Sequence, residues 1–233
     1  MEAKLEKIVR LWPKTLEEVY KTAIPHLARY HFAMPNVTGK NVCDIACGVG
    51  YGSFYLSQYA GNVVGIDVSE EAIEWAKRYF QNHKTKFYCA DGSLLWPVEN
   101  KFDVVTSYET LEHVQNPDMF LSQLHAHLSE NGILLMSIPN GPRDKKRTDN
   151  PHHLHHFSAE DFQNLINKYF ANAQFYSQSY SKNLKHYTAK CLHKLRLAKK
   201  QIYFLNNYYL SKGLDKNLKT WFVIAKKENK IKN

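Results

Sequence analysis

The sequence predicts an α/β protein with a doubly wound, mostly parallel sheet of seven strands, an N-terminal helical cap and a basic helical insert before the last strand. Short apolar segments alternate with amphipathic helical segments between residues 41 and 180. The first apolar segment leads into a glycine-rich turn, and acidic residues lie at the ends of the first three, Asp44, Asp67 and Asp91. This order indicates parallel strands that bind ligands at their carboxyl ends.

The predicted elements follow from periodicity and from helix-capping residues. Apolar, β-branched runs predict strands at residues 42–45, 62–66, 86–89, 103–107, 133–138, 173–179 and 220–225. Helical spacing predicts helices at residues 51–59, 70–80, 117–128 and 159–170. Ser69, Asn116 and Ser158 precede three of these helices as candidate N-caps.

The 233 residues divide into four predicted parts. Residues 1–40 form a helical cap, 41–180 a ligand-binding core, 181–219 a basic helical insert, and 220–233 the last strand and a tail. Within the cap, we expect a helix after Pro13 that Pro25 kinks or divides and that ends near Pro35.

Composition excludes several classes of protein. No run of 18 apolar residues occurs, so we expect no transmembrane helix. The N-terminal residues lack the apolar core of a signal peptide, which predicts a cytoplasmic protein, with peripheral membrane contact as an alternative. The four cysteines form no CxxC pair, which favours free thiols over a zinc site.

Positive charge is concentrated at the C-terminal end of the chain. The net charge is +9, of which residues 181–233 carry +12 and residues 1–180 carry −3. This asymmetry predicts an anionic partner for residues 181–233. The partner could be an anionic small-molecule or glycan acceptor, an anionic membrane surface or a nucleic acid.

The turn at residues 41–52 predicts the cofactor. Its order is Asp-x-Ala-Cys-Gly-x-Gly-x-Gly, which differs from the G-x-G-x-x-G order of dinucleotide sites. Glycines let the backbone approach a ligand closely. Because the carboxylate of Asp44 before the turn would repel pyrophosphate and attract a cation, the sequence favours S-adenosylmethionine.

Two further acids and the end of the fourth strand extend this site. Asp67 follows Gly50 by 17 positions, close to the spacing at which an acid takes the ribose hydroxyls. Asp91, before Gly92, can accept a hydrogen bond from the adenine amino group. Residues 107–110 end strand four beside the methionine half of the ligand.

Over residues 25–180 the chain resembles the class I S-adenosylmethionine-dependent methyltransferases, which have a Rossmann-like fold. Residues 42–50 resemble the family's cofactor motif, with Ala46 in place of its first glycine. The resemblance implies a set of cofactor-binding residues. They are Arg29, Asp44, Ala46, Gly48, Gly50, Tyr51, Asp67, Val68, Asp91, Gly92, Ser107, Tyr108 and Glu109.

Two subgroups of the family resemble the chain more closely. Residues 111–114, Leu-Glu-His-Val, resemble a box of the ubiquinone-type O-methyltransferases. Residues 29–33, 39–53 and 150–157 resemble methyltransferases of bacterial surface-glycan biosynthesis, which more often have Glu where this chain has His156. The second resemblance implies O-methylation of a sugar, a nucleotide-linked sugar or a lipid-linked glycan.

His113 and His153 are the candidate catalytic bases, because a neutral imidazole can remove a proton from an acceptor hydroxyl near pH 7. A structural role is the alternative for His113. For the cluster His152, His153, His155 and His156, the alternative is an exposed loop.

The same residues permit a metal-dependent alternative. Glu109, Glu112, His113 and His153 resemble the metal ligands of small-RNA 2′-O-methyltransferases. Two carboxylates and two imidazoles could hold a divalent cation that polarises a ribose diol, while the basic C-terminal region contacts phosphates. A basic binding module without activity is the remaining alternative to an enzyme.

Overall fold

A computed structural model describes residues 12–140, 152–181, 205 and 207–228. The helices are α1 (Leu16–Thr22), α2 (Ile24–Val37), α3 (Tyr51–Ser57), α4 (Glu70–Tyr79), α5 (Pro117–His127) and α6 (Ala159–Tyr169). The strands are β1 (Asn41–Ile45), β2 (Asn62–Asp67), β3 (Thr85–Cys89), β4 (Phe102–Tyr108), β5 (Leu128–Pro139), β6 (Asn172–Tyr180), β7 (Tyr208–Lys212) and β8 (Thr220–Lys226).

The strands form one sheet in the order β3-β2-β1-β4-β5-β8-β6-β7. Strands β1 to β5 are parallel, whereas β8 runs antiparallel to both β5 and β6. The order reverses between β1 and β4, which is where open α/β sheets bind ligands. The predicted doubly wound, mostly parallel sheet is therefore confirmed.

Strand β7 is an addition to the predicted seven strands. Its residues lie within the predicted helical insert, yet Tyr208–Lys212 pairs antiparallel with β6. Two tyrosines and a leucine favour a strand there once β6 offers an edge. Residues 182–204, which include the predicted basic helix, lie outside the described residues. Within the described residues, no helix has the length and apolar character needed to cross a membrane.

The N-terminal cap consists of two helices. Thr15 caps α1 by accepting a hydrogen bond from the Glu18 amide. The break at Ala23 places Pro25 in the first turn of α2, where a missing N–H is tolerated. Helix α2 continues through Pro35 to Val37, so the prediction that it ends near Pro35 was wrong by about half a turn.

Strand β5 also differs from its prediction. It begins at Leu128, five residues before the predicted start, and includes Asn131 and Gly132, which lie between the predicted helix and the predicted strand. Asn131 has a φ of 62°, and the pairing of β4 with β5 shifts register nearby. A local irregularity therefore lets the strand continue through residues that normally end an element.

Two apolar clusters cover the two faces of the sheet. On one face, Val42 and Val104 belong to the same buried cluster as Leu27 of α2. On the other, Val105 belongs to the same buried cluster as Leu121 of α5. Because adjacent residues of a strand point to opposite faces, apolar runs fit strands that are covered on both sides. This packing fixes the strand ends that carry the candidate site.

Candidate active site

A cavity of about 1210 Å³ lies at the carboxyl ends of the parallel strands. The junction of α1 and α2 and the loop after β4 complete its walls. The structure brings most of the predicted site residues to this cavity. These are Arg29, Ala46, Gly48, Tyr51, Asp67, Val68, Asp91, Gly92, Tyr108, Glu109 and His113. Asp44, Gly50, Ser107, Glu112 and His153 are not part of its lining.

Asp44 is buried beneath the turn. Its carboxylate accepts hydrogen bonds from Ser53 Oγ at 2.7 Å and from Thr106 Oγ1 at 2.8 Å. Burial raises its pKa to about 6, against the opposing effect of these hydrogen bonds. The carboxylate therefore links β1, α3 and β4. Because Asp44 is not part of the cavity lining, its position does not support the predicted direct attraction between its carboxylate and a cation in the cavity.

The glycine-rich turn contains two residues in the left-handed region that face the cavity. Gly48 has a φ of 56°, and no atom lies within 4 Å of the position a Cβ would take. Ala46 has a φ of 57°, which is strained for a residue with a Cβ. Gly50 differs, because a Cβ there would lie 2.6 Å from Ala76 Cβ. Gly48 thus keeps the cavity open, whereas Gly50 permits close packing.

Two acids line the side of the cavity formed by β2 and β3. Asp67 accepts backbone hydrogen bonds from Gly48 at 2.8 Å and from Ser69 at 2.9 Å. Asp91 accepts one from the Ser93 amide at 2.8 Å. The bond from Gly48 orients the Asp67 carboxylate toward the glycine-rich turn, whereas the bond from Ser93 fixes the Asp91 carboxylate within its own loop. Val68 is 70% exposed on the same side.

Arg29 reaches the cavity from α2 and is held by three elements. Its Nε donates to Gln178 Oε1 at 3.1 Å and its Nη2 to Thr220 Oγ1 at 3.2 Å. Nη2 also lies 3.7 Å from Glu109 Oε2, and Glu109 Oε1 accepts a hydrogen bond from Ser137. Nη1 is buried and has no hydrogen-bond partner among the described residues. Such a group is unfavourable unless a ligand or water completes it.

His113 is oriented by the segment that follows β5. Its Nδ1 lies 2.8 Å from the carbonyl oxygen of His152, and because a carbonyl only accepts, Nδ1 carries the proton. The amides of Leu154 and His155 both donate to the Glu112 carbonyl, at 2.8 and 3.0 Å. In the neutral ring, Nε2 therefore carries the lone pair.

Three of the four proposed metal ligands lie together. Ligand atoms of Glu112, His113 and His153 are within 4.8 Å of one another, and Glu112 is buried. Glu109 is directed instead toward Arg29 and Ser137. The expected four-residue set is thus reduced to three.

Sequence reasoning missed several residues of the cavity wall. His26 and Tyr30 come from α2, Leu94 follows β3, and Met119 lies in the first turn of α5. Leu94 and Met119 are 54% and 43% exposed, large values for apolar side chains. The i to i+3 spacing of His26 and Arg29 is a signal that could have placed both on one face of the helix.

The family match covers residues 15–180, well over half of the chain, and describes a methyltransferase domain. Among curated proteins, the chain is 33% identical over 104 residues to a ubiquinone biosynthesis O-methyltransferase of Coxiella burnetii. It is 35% identical over 98 residues to that of Pelagibacter ubique. These matches span 44% and 42% of this chain and 44% and 41% of the relatives, so less than half of each relative is covered.

Solved structures share the fold at low sequence identity. An S-adenosylmethionine-dependent methyltransferase of Mesorhizobium loti is 17% identical with a TM-score of 0.62, over 89% of this chain and all of that one. A possible histamine N-methyltransferase of Thermotoga maritima is 15% identical with a TM-score of 0.64, over 90% and 92%. The family match and the fold together confirm the predicted class and its methyl donor: the chain belongs to the methyltransferase domain family, with the class I fold and S-adenosylmethionine as cofactor.

Proposed function

We propose that the protein transfers a methyl group from S-adenosylmethionine to a hydroxyl of a sugar, a nucleotide-linked sugar or a lipid-linked glycan. Two relatives are ubiquinone biosynthesis O-methyltransferases, which supports O-methylation as the reaction. The observation that carries the proposal is the fixed tautomer of His113, a residue of the cavity wall whose Nε2 carries the lone pair in the neutral ring and lies 3.8 Å from Glu112 Oε1. This nitrogen would accept the hydroxyl proton during methyl transfer.

In this proposal, one half of the cavity holds the methyl donor. Asp67 binds the ribose hydroxyls and Asp91 the adenine amino group, while exposed Val68 covers the apolar adenine face. The unpartnered Nη1 of Arg29 and the carboxylate of Glu109 suit the carboxylate and ammonium groups of the methionine half. Backbone of Ala46, Gly48, Tyr51, Gly92 and Tyr108 surrounds the ligand, and Asp44, Gly50 and Ser107 support it from beneath.

The other half of the cavity would hold the acceptor. Pockets that bury a drug-sized ligand measure about 300–1,000 Å³, so the cavity of about 1210 Å³ has room for both substrates. Its wall after β4 includes the polar side chains of Thr110, His113 and His152 beside the apolar Val114 and Leu154. The polar side chains suit hydroxyl groups of the acceptor. Because methyl transfer is an in-line displacement, the enzyme mainly has to align the acceptor oxygen with the methyl group.

The basic C-terminal region supports an anionic acceptor. Lys212, Lys216, Lys219 and Lys226 are all exposed in the described part of this region. Asp215 and Glu228 are its acidic residues. We propose that residues 181–233 bind a phosphate group of the acceptor, with an anionic membrane surface or nucleic acid as the alternative partner.

Methyl-label transfer tests the proposal. Wild-type protein and labelled S-adenosylmethionine are incubated with UDP-glucose, a polyprenyl-phosphate sugar, 3,4-dihydroxybenzoate and a short RNA. Methylation of either sugar is expected. His113→Asn keeps a donor for the His152 carbonyl but lacks Nε2, so kcat should fall about 100-fold or more.

His155→Gln is the matched control for that variant. His155 Nε2 donates to the Val114 carbonyl in the same segment, and His155 is not part of the cavity lining. It should therefore retain kcat. Methylation of the catechol alone would replace the sugar proposal with a ubiquinone-type activity, and full activity of His113→Asn would exclude the proposed base.

The cluster of Glu112, His113 and His153 supports a second candidate, a divalent-metal-dependent RNA 2′-O-methyltransferase. The ligand atoms lie within 4.8 Å of one another, near the separations allowed by an ion that binds each at about 2.1 Å. An ion there would polarise a ribose diol. EDTA should then abolish transfer to RNA, and Glu112→Gln should abolish Mn²⁺ binding in a calorimetric titration. Activity that is insensitive to EDTA would exclude this candidate.

A further inference from the structure

Two histidine–tyrosine hydrogen bonds join helices α2 and α3. His26 Nδ1 lies 2.7 Å from the hydroxyl of Tyr51, and His31 Nδ1 lies 2.9 Å from the hydroxyl of Tyr55. Both pairs therefore make the same kind of contact between the same two helices. His26 and Tyr51 line the cavity, whereas His31 and Tyr55 do not. Both pairs can stabilise the packing of α2 against α3. Only the His26–Tyr51 pair also faces the cavity, and this pair could therefore have a second role there.

The pair at the cavity is electrically neutral. Burial, with a smaller contribution from the Arg29 cation, lowers the pKa of His26 to about 3. Burial also raises the pKa of Tyr51 above its ordinary value. Neither ring gains charge near neutral pH, so the pair would not repel a methyl donor that carries a positive charge.

His26 lies away from the adenosine end of the cavity, on α2 one helical turn before Arg29. Its neighbours in the wall are Thr22, Ala23 and Pro25, at the junction of α1 and α2. Asp67 and Asp91, which we assign to the adenosine of the donor, come from the ends of β2 and β3. Nδ1 is engaged by Tyr51, and the ring also contacts Tyr30, with 5.9 Å between the ring centroids. Nε2 is then the nitrogen through which His26 can meet a ligand.

We propose that His26, held in place by Tyr51, hydrogen-bonds a hydroxyl group of the methyl acceptor and helps determine acceptor specificity. This inference rests on the proposed O-methyltransferase function. In this assignment, His113 removes the proton from the reacting hydroxyl, and His26 binds a second polar group of the same molecule. Two such contacts suit a polyhydroxylated acceptor better than one with a single hydroxyl.

Four substitutions test the role of the pair. His26→Phe and Tyr51→Phe remove the hydrogen bond at the cavity, and His31→Phe and Tyr55→Phe remove its counterpart away from the cavity. Each variant is assayed for methyl transfer to UDP-glucose and 3,4-dihydroxybenzoate. Calorimetry measures its affinity for S-adenosylmethionine, and thermal unfolding measures its stability.

We expect His26→Phe to raise the acceptor KM about five- to tenfold, the loss associated with one hydrogen bond. Its kcat and its affinity for S-adenosylmethionine should remain within about twofold. Tyr51→Phe should raise KM less, because it leaves His26 present but less well oriented. His26→Gln, which restores a donor, should recover part of the loss, and His31→Phe and Tyr55→Phe should leave KM unchanged.

Other outcomes would overturn the assignment. Equal effects of the two pairs on KM would show a packing role, and weaker binding of S-adenosylmethionine to His26→Phe would assign the pair to the donor. A fall in kcat with unchanged KM would make His26 part of the chemical step. If the wild type methylates neither probe, UDP-glucose and the catechol are excluded as acceptors and a lipid-linked glycan replaces them in the assay. The calorimetric comparison still tests the pair in that case, because weakened donor binding by His26→Phe overturns the assignment.

Discussion

The backbone N–H of Gly48 donates a hydrogen bond of 2.8 Å to Asp67 Oδ2, so one carboxylate joins the turn after β1 to the end of β2. The other oxygen, Oδ1, accepts from the Ser69 amide at 2.9 Å. A carboxylate can accept about four hydrogen bonds. The two backbone amides therefore orient the Asp67 carboxylate in the cavity wall. Its position there depends on the conformation of the turn after β1.

Asp67→Asn should weaken S-adenosylmethionine binding about tenfold or more. The amide group of asparagine would direct an N–H toward either the Gly48 or the Ser69 amide, and a donor facing a donor loses a hydrogen bond. Calorimetric titration measures the change. Asp103→Asn is the matched control, because Asp103 also accepts a backbone hydrogen bond, from Asn41, and is not part of the cavity lining. An unchanged affinity of Asp67→Asn would contradict the assignment to the ribose.

Gly48→Ala should reduce both stability and donor affinity. At a φ of 56°, a Cβ costs about 1–2 kcal/mol, and this Cβ would project into the open cavity where the cofactor is proposed to lie. We expect the affinity for S-adenosylmethionine to fall at least tenfold. Thermal unfolding and calorimetry give the two effects separately.

Gly39→Ala is the control that separates the effect of backbone strain on stability from the effect of a Cβ in the cavity on cofactor affinity. Gly39 has a φ of 72° and equally open space around its Cβ position, but it lies outside the cavity lining. It should lose similar stability and bind the cofactor normally. Equal loss of affinity in both variants would mean that backbone strain, and not occupation of the cavity, is responsible.

Much of the fold could be predicted because local sequence patterns specify it. The apolar strands and their acidic ends predict a parallel sheet, and Asp67 and Asp91 line the cavity as expected. Strand β7 could not be predicted, because its pairing with β6 is a long-range contact made by residues that were assigned as a whole to the basic helical insert. Strand β5 was predicted too short because a local irregularity at Asn131, a residue type that often ends an element, lets the strand continue.

The candidate site was less predictable than the fold because side-chain direction depends on packing. Asp44 lies in the motif that predicts the cofactor, yet it is directed toward Ser53 and Thr106 and away from the cavity. The contribution of His26 depends on how α2 docks against α3, which local sequence does not specify. Sequence motifs thus predicted the cavity residues near the glycine-rich turn better than the cavity residues that distant elements contribute.

Arg29→Lys should weaken S-adenosylmethionine binding about tenfold and lower the unfolding temperature. Lysine keeps the charge but lacks the planar fork that contacts Gln178 and Thr220 together. Arg78→Lys is the control, since Arg78 is exposed on α4 and packs on Tyr79. Calorimetry and thermal unfolding measure both effects. Normal affinity in Arg29→Lys would exclude Arg29 from the donor site.

Asp44 should make the folded protein less stable as pH rises. Its pKa is about 6 in the fold and about 3.8 in its ordinary state, so the fold favours the protonated carboxyl. The resulting stability is fully present below about pH 3.8 and is lost as pH rises through about 6. Between pH 4.5 and pH 8 the loss is roughly 2 kcal/mol, at about 1.36 kcal/mol for each unit of pKa shift.

Urea unfolding of the wild type and Asp44→Asn at both pH values isolates this contribution. The difference in unfolding free energy between the two proteins should change by roughly 2 kcal/mol, in favour of the variant at high pH. Thr106→Val provides a second check. Because the Thr106 hydrogen bond lowers the pKa of Asp44, its removal should move the loss of stability to a higher pH. A pH-independent difference between wild type and Asp44→Asn would mean that the buried carboxyl remains ionised throughout and that its hydrogen bonds outweigh the effect of burial.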